Sequence, residues 1–488
     1  MNGIEENNCC SKESECSITD YSKGQLHIAI IGSGSGAFAS AIKAAEGGAR
    51  VSIIEGADEI GGCCVNVGCV PSKILIRAAQ LAQQQRDNPF TGLENQAPLI
   101  SREILSNQQT SRVNELRSAK YQNILASNPA LSLIKGYARF KDPQTLIIGE
   151  ANGQEQELKA DRILIATGSI PSIPPIKGLT DTPYWSSTEA LFAEELPEHL
   201  VVIGSSVIAL EIAQAYRRLG SEVTVLARHT LLYAEDPLLG EKLQECFEKE
   251  GICVLTNSQA EEVSYYGNQF SLKTNEGLIE SDKLLISTGR HANTANLHLD
   301  VVGIKTESNG AIIVNDKMET SVTNVYATGD CSSMPQFVYV AAAAGSRAGI
   351  NMTGGDVRLD LSIMPTVIFT DPQVATVGLT ETQAKEQKIN TISRVLDMEN
   401  VPRALANFET DGFIKLVVDE ETGLIIGAQI LAHEGGELIQ SAALAIHNKM
   451  TVESLANQLF PYLTMVEGLK LCAQTFNKDV KELSCCAG

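Results

Sequence analysis

The residues best equipped for chemistry lie in one run, Gly61-Gly62-Cys63-Cys64-Val65-Asn66-Val67-Gly68-Cys69-Val70-Pro71-Ser72-Lys73. Cys64 and Cys69 are separated by four residues, and an apolar-periodic stretch, Ile74 to Leu81, follows them. A thiol at a helix start meets unpaired N–H groups and a partial positive charge, both of which favour the reactive thiolate. Lys73 adds a cation one turn on. Two close cysteines alone would be equally well explained by inert packing. The Gly-Gly approach, the helix start and the nucleotide-binding pattern upstream turn the reading to a dithiol/disulfide redox centre.

The elements that must position this pair are legible on either side. Leu26 to Ile31 reads as a buried strand, followed by Gly32-Ser33-Gly34-Ser35-Gly36-Ala37, an Ala-rich helix to about Gly47, and a second strand from Arg50 ending at Glu55. This is a β-α-β dinucleotide pattern. Gly32 permits the tight turn, Gly34 lets a pyrophosphate approach the backbone, Ala37 lets the helix pack closely, and Glu55 can accept hydrogen bonds from a ribose. Arg162 to Gly168 is a further strand entering a glycine turn. The theme recurs with the strand Leu200 to Ile203, the turn Gly204-Ser205-Ser206, the helix Leu210 to Leu219 and the strand Val223 to Leu226. Here Ser206 replaces the middle glycine, and Ala227 followed by Arg228 replaces the acid. A cation there suits a 2′-phosphate, which favours NADPH over NADH; a solvated surface charge is the other reading. Thr320 to Asp330 reads as a strand ending in Gly-Asp beside a helix from Phe337 to Gly349, where the acid is placed to hold a polyol hydroxyl.

The expected organisation is a tail over 1–24, a first nucleotide-binding unit over 25–170, a second over 171–290, a return to the first over 291–358, and a separate α+β unit over 359–488. The fold class is therefore α/β, with two Rossmann-like dinucleotide-binding domains and a C-terminal α+β domain. A formal charge of −21 with no basic stripe makes nucleic acid and anionic membrane poor candidate partners. No apolar run reaches membrane-span length and no signal peptide is visible, so a cytoplasmic protein is expected. The twelve cysteines cluster at 9, 10 and 16, at 63, 64 and 69, and at 485 and 486. Clustered thiols suit redox or soft-metal chemistry, whereas Cys246, Cys253, Cys331 and Cys472 read as core packing. Cys9, Cys10 and Cys16 match no trusted metal spacing.

Taken together, Gly-x-Gly-x-x-Ala with Glu55, the cysteine pair with Pro71-Ser72-Lys73, Ala166-Thr167-Gly168, the second nucleotide fold and Tyr326-Ala327-Thr328-Gly329-Asp330 resemble the FAD-dependent pyridine nucleotide-disulfide oxidoreductases, in register over roughly residues 25–480. The resemblance implies FAD at the first site, NADPH at the second and a homodimer formed through the C-terminal unit. It implies a Lys73–Glu211 ion pair beside the flavin, Cys69 as the thiolate contacting the flavin and Cys64 as the interchange thiol. It further implies cofactor contacts from Gly32, Gly34, Ala37, Phe38, Glu55, Gly62, Cys63, Lys73, Ala138, Thr167, Gly168, Asp330, Val338, Gly204, Ser206, Arg228 and Gly289.

Family members that reduce organic disulfides resemble one another in a His-Pro near the C-terminus, whose imidazole shuttles a proton to the leaving thiol. The matching run here is Phe460-Pro461-Tyr462-Leu463-Thr464-Met465-Val466-Glu467, and no histidine follows His447. The chain instead ends Ser484-Cys485-Cys486-Ala487-Gly488. Adjacent cysteines make a strained disulfide, but two thiolates suit a large, soft ion such as Hg(II). Both segments are closely similar to those of the mercury-reducing branch of the family. That likeness implies Hg(II) as substrate, carried in by small-molecule thiols, with Cys64, Cys69, Cys485 and Cys486 as metal ligands. It places Tyr121 and Tyr462 at the metal site from opposite subunits, with the tail passing metal to Cys64 and Cys69 of the other subunit. Three departures stand out. Cys63 occupies a position commonly held by Thr, Ala234 occupies a position where relatives often have a second Arg, and residues 1–25 lack a Gly-Met-x-Cys-x-x-Cys motif, as expected of a catalytic core with a short tail. Two other readings stay open: a dithiol oxidoreductase using Cys485 and Cys486 as a relay, and a flavoprotein that sequesters metal without turnover.

Overall fold

The computed structural model describes residues 24–480. The tail over 1–23 with its three cysteines, and the C-terminal Cys485 and Cys486, lie outside the described residues. The first sheet is parallel and five-stranded, ordered Val325–Ala327, Arg162–Ile165, β1 (His27–Ile31), β2 (Arg50–Glu55) and Leu131–Lys135. All five residues of β1 are buried, as expected of a strand covered on both faces. Between β1 and β2 runs α1 (Ser35–Glu46), which packs against the helix Val338–Met352 so tightly that a Cβ on Gly345 would meet the Gly36 carbonyl oxygen at 2.1 Å.

The second sheet is parallel and four-stranded, ordered Cys253–Leu255, Glu222–Leu226, His199–Ile203 and Lys283–Ile286. It repeats the plan of the first in detail. In each unit a three-stranded antiparallel sheet (137–159 and 260–281) is inserted before a later strand of the parallel sheet. Each unit also opens on a histidine whose ring bridges the same two places. His27 Nδ1 meets the Lys159 carbonyl and Nε2 meets Ser52 Oγ, while His199 Nδ1 meets the Glu280 carbonyl and Nε2 meets Thr224 Oγ1. The backbone N–H of each histidine donates to an aspartate, Asp161 or Asp282. Both histidines are thereby consumed in holding strands together.

The C-terminal unit is an antiparallel five-stranded sheet, ordered Thr366–Ile368, Gln373–Gly378, Ile425–Ala432, Phe413–Asp419 and Thr391–Asp397, against which the helices Gly435–His447 and Glu467–Gln474 pack. The α/β class with two Rossmann-like units and a C-terminal α+β unit is the observed architecture. One local expectation changes. The expected strand from Thr320 shrinks to Val325–Ala327, because Thr320 to Asn324 turn back on themselves through Thr320 Oγ1 and the Val325 N–H. Tyr121 sits on a π-helical turn, Ser118–Gln122, between the helices Arg102–Arg117 and Asn123–Ser127.

Candidate active site

The first nucleotide cradle is built by backbone geometry. Gly32 has φ +103°, and a Cβ there would lie 2.3 Å from the Ala166 oxygen. Gly34 caps α1 with no side-chain hydrogen bond and no acid in the first turn, which leaves the positive helix end open to an anion. Opposite stands Gly62, at φ +69°, where a Cβ would come within 2.6 Å of the Gly34 Cα. Two backbones meet with no side chain between them, as a pyrophosphate requires. At the end of β2, Glu55 accepts from Ser33 Oγ at 2.5 Å and from the Ala57 N–H at 2.8 Å, which aims the carboxylate back towards the glycine turn. The buried Thr167 hydroxyl finds no hydrogen-bond partner in the protein, an unmet polar group of the kind a bound cofactor completes. Ala37 and Phe38 are buried beneath this cradle and Ala138 is buried in the adjoining sheet. Gly168 turns with φ +69°, and Val338 opens another helix without a side-chain cap.

In the second cradle Gly204 repeats the role of Gly32, with φ +135° and a would-be Cβ 2.1 Å from the Ser287 oxygen. Ser206 caps the helix Val207–Leu219 at φ −110°, a conformation open to any residue, which is why serine is tolerated where the first copy has glycine. Arg228 is exposed just past the strand Glu222–Leu226, and Gly289 turns at φ +107°. The sequence reading overlooked His229, whose ring packs on Tyr233 at 4.8 Å beside Arg228.

The thiols sit on two helices. Cys64 is within the one-turn α2 (Gly62–Asn66), and Cys69 is the first residue of α3 (Cys69–Arg86), whose N-terminus Gly68 leaves without a side-chain cap. Both are free thiols. The Cys64 thiol donates to Cys69, and that bond, with the Lys73 ammonium one turn on, outweighs burial and holds Cys69 down to about 7. The same bond and burial push Cys64 far up. The pair is therefore divided into one thiolate and one proton-bearing thiol. Lys73 pairs with Glu211 at 2.7 Å, and the Phe369 N–H donates to the other Glu211 oxygen at 2.9 Å. Tyr121 stands edge-on to Phe38 at 4.8 Å with its hydroxyl 3.4 Å from Ser35 Oγ. Burial raises its phenol, the Ser35 hydrogen bond opposes that rise, and the Cys69 thiolate adds to it.

Cys63 lies beside the pair, with its sulfur against Gly68. Its sulfur accepts from Arg290 at 3.7 Å, and Arg290 Nε donates to Ser169 Oγ, which donates to Asp330 at 2.8 Å. Burial pushes this thiol up, against the pull of Arg290. Among the described residues, no group of three or more His, Cys, Asp or Glu could hold a metal ion, so Cys63 does not complete a three-ligand site with the pair. The structure thus brings together Cys64, Cys69, Lys73, Glu211 and Tyr121. Tyr462 lies half-exposed on the loop before the helix Glu467–Gln474, where the Leu463 N–H donates to Glu467. Arg290 and Phe369 escaped the sequence reading because both reach the site from distant units.

Two open dinucleotide cradles beside a divided thiol pair define a flavin- and nicotinamide-dependent dithiol oxidoreductase. The sequence profile for the pyridine nucleotide-disulphide oxidoreductases matches residues 26–345, and that for the dimerisation domain of the same family matches residues 364–473. The chain belongs to this family. Within it, the chain is 74% identical over 99% of its length to a mercuric reductase of Shewanella putrefaciens, covering 86% of that protein. It is 58% identical over 96% of its length to the mercuric reductase of Shigella flexneri, covering 84% of it. Among solved structures it is similar to the Cu(II) complex of the HOCl-induced flavoprotein disulfide reductase RclA of Escherichia coli, with a TM-score of 0.84 at 28% identity over 93% of this chain and all of that one.

Proposed function

We propose that this chain reduces Hg(II) to volatile Hg(0) with electrons from NADPH, through FAD and the Cys64/Cys69 pair, as a homodimer. The observation that carries this reading is the divided thiol pair in a chain with no histidine in its Phe460–Glu467 run. A disulfide substrate needs a proton donor at that run, whereas thiolate-bound Hg(II) needs two sulfurs and two electrons. The net reaction is NADPH + Hg(SR)₂ + H⁺ → NADP⁺ + Hg(0) + 2 RSH.

Gly32, Gly34, Gly62, Glu55, Thr167 and Asp330 would hold FAD, and the unmet Thr167 hydroxyl and the Gly34–Gly62 approach fit it. FAD, when bound, supplies two-electron transfer between nicotinamide and sulfur-bound metal. Gly204, Ser206, Arg228 and Gly289 would hold NADPH. Cys64, the interchange thiol, attacks the incoming dithiolate complex as its proton passes to the Cys69 thiolate. Cys69 then gives that proton to the departing thiolate and completes two-coordinate binding. Lys73 balances the charge of the pair, and Tyr121, with Tyr462 of the partner subunit, lines the path. Cys485 and Cys486, outside the described residues, take the metal from small-molecule thiols and pass it inward. No helix among the described residues is long and apolar enough to cross a membrane. A cytoplasmic setting, where small thiols are plentiful and kept reduced, suits this chemistry.

The test is NADPH oxidation by the purified holoenzyme with Hg(II) and excess thiol. Turnover with volatile product is expected, and Cys485→Ser with Cys486→Ser should abolish turnover on thiol-complexed mercury while leaving flavin reduction by NADPH intact. Turnover with an organic disulfide and none with mercury would replace this reading by a thiol relay.

A further inference from the structure

The segment Phe369–Asp371 of the C-terminal unit is laced along one face of the helix Val207–Leu219. Glu211, Gln214 and Arg218 recur at i, i+3 and i+7, all three are buried, and each holds this segment. Glu211 accepts from the Phe369 N–H at 2.9 Å. Gln214 accepts from the Asp371 N–H at 2.8 Å and donates to the Asp371 carbonyl at 2.7 Å, and Arg218 donates to the Asp371 carboxylate at 2.8 Å. The consequence falls on Lys73. Its ammonium lies 4.3 Å from the centre of the Phe369 ring and 2.7 Å from Glu211. Lys73 is about one-third exposed, at 35%, so part of its side chain meets water. An aromatic face attracts a cation and restricts where it sits.

We infer that Phe369 is a positioning residue for the redox pair: its N–H fixes the Glu211 carboxylate, its ring fixes the Lys73 ammonium, and the two together keep that charge beside Cys69. Gln214 and Arg218 act one step further out, by holding Asp371 and hence the ring. The inference rests on the reading of Cys64 and Cys69 as the redox pair, and it deepens that reading.

The test uses NADPH-reduced holoenzyme at one fixed pH and follows iodoacetamide labelling of the Cys69 peptide by mass spectrometry, with kcat and KM per bound flavin measured alongside. Phe369→Leu keeps the N–H and an apolar side chain but removes the ring. It is expected to slow Cys69 labelling about two- to fivefold, with kcat falling and the KM for NADPH unchanged. Phe369→Tyr restores a ring face and should bring labelling back to within about twofold of wild type. Lys73→Gln sets the floor for loss of the cation. Wild-type labelling in Phe369→Leu at full flavin content would overturn the inference, as would a Phe369→Tyr variant as slow as Phe369→Leu. Should Phe369→Leu fail to fold, Gln214→Leu, which cuts the anchor while leaving the ring in the sequence, must slow labelling in the same direction or the inference falls. Failure of mercury-dependent NADPH oxidation in the wild type would count against the proposed function and leave the labelling comparison standing.

Discussion

A single shared proton sets the chemistry of the thiol pair. Cys69 is held below the ordinary thiol range by the Cys64 hydrogen bond and by Lys73, so its thiolate is populated above about pH 7 and is lost on acidification below it. The labelling rate of Cys69 in the reduced protein should therefore rise with pH through a midpoint near 7, and Lys73→Gln should move that midpoint upward; an unmoved midpoint would remove Lys73 from the account. The lack of a third ligand beside the pair, among the described residues, also governs metal choice. Zn²⁺ prefers four tetrahedral ligands, whereas Hg(II) is content with two sulfurs in line. Millimolar Zn²⁺ should leave mercury turnover largely unaffected in the presence of thiol, and stoichiometric inhibition by Zn²⁺ would show that further ligands gather there. At this scale the sequence was highly legible. Cys64, Cys69, Lys73 and Glu55 are spaced along contiguous chain, so their proximity follows from local structure. The Cys63–Arg290 contact spans 227 positions and leaves no periodic trace.

At the level of elements, the glycines do the positioning. Gly32 and Gly204 each stand at a positive φ with a neighbouring carbonyl where a Cβ would go, so the strand-to-helix turns could be placed from sequence alone. The packing of α1 on Val338–Met352 could not, because Gly36 and Gly345 are 309 residues apart and neither lies in a turn. Gly345→Ala would force these helices apart, and overpacking of this kind costs about 1–3 kcal/mol. Urea unfolding should show that loss, together with weakened retention of FAD, since α1 carries the phosphate-facing helix end. The π-helical turn that presents Tyr121 was similarly hidden. An extra residue in one helical turn shifts register without changing composition, and the tyrosine could be named from the resemblance but its mounting could not.

Across the whole molecule, charge ties the units together. Arg218 lies between Glu250 and Asp371, and Asp371 also meets His433 at 3.2 Å. His433 is raised by its bond to Asp371, with burial opposing, while the Arg218 and His433 partners hold Asp371 down despite burial. A raised histidine stabilises the fold fully below its unfolded value, about 6.5, and loses that contribution as pH climbs through the folded value. The melting temperature should accordingly decline as pH rises above about 6.5, and His433→Gln should flatten that decline; an equally steep decline in the variant would place its origin elsewhere. The Lys73, Glu211 and Phe369 contact has a consequence for recombination. Each of its three members comes from a different unit of the chain, so a chimera that borrows one unit from a distant flavoprotein inherits one-third of a foreign arrangement. Grafts that preserve every sulfur can still fail electrically, and those that import all three positions together are the ones expected to work.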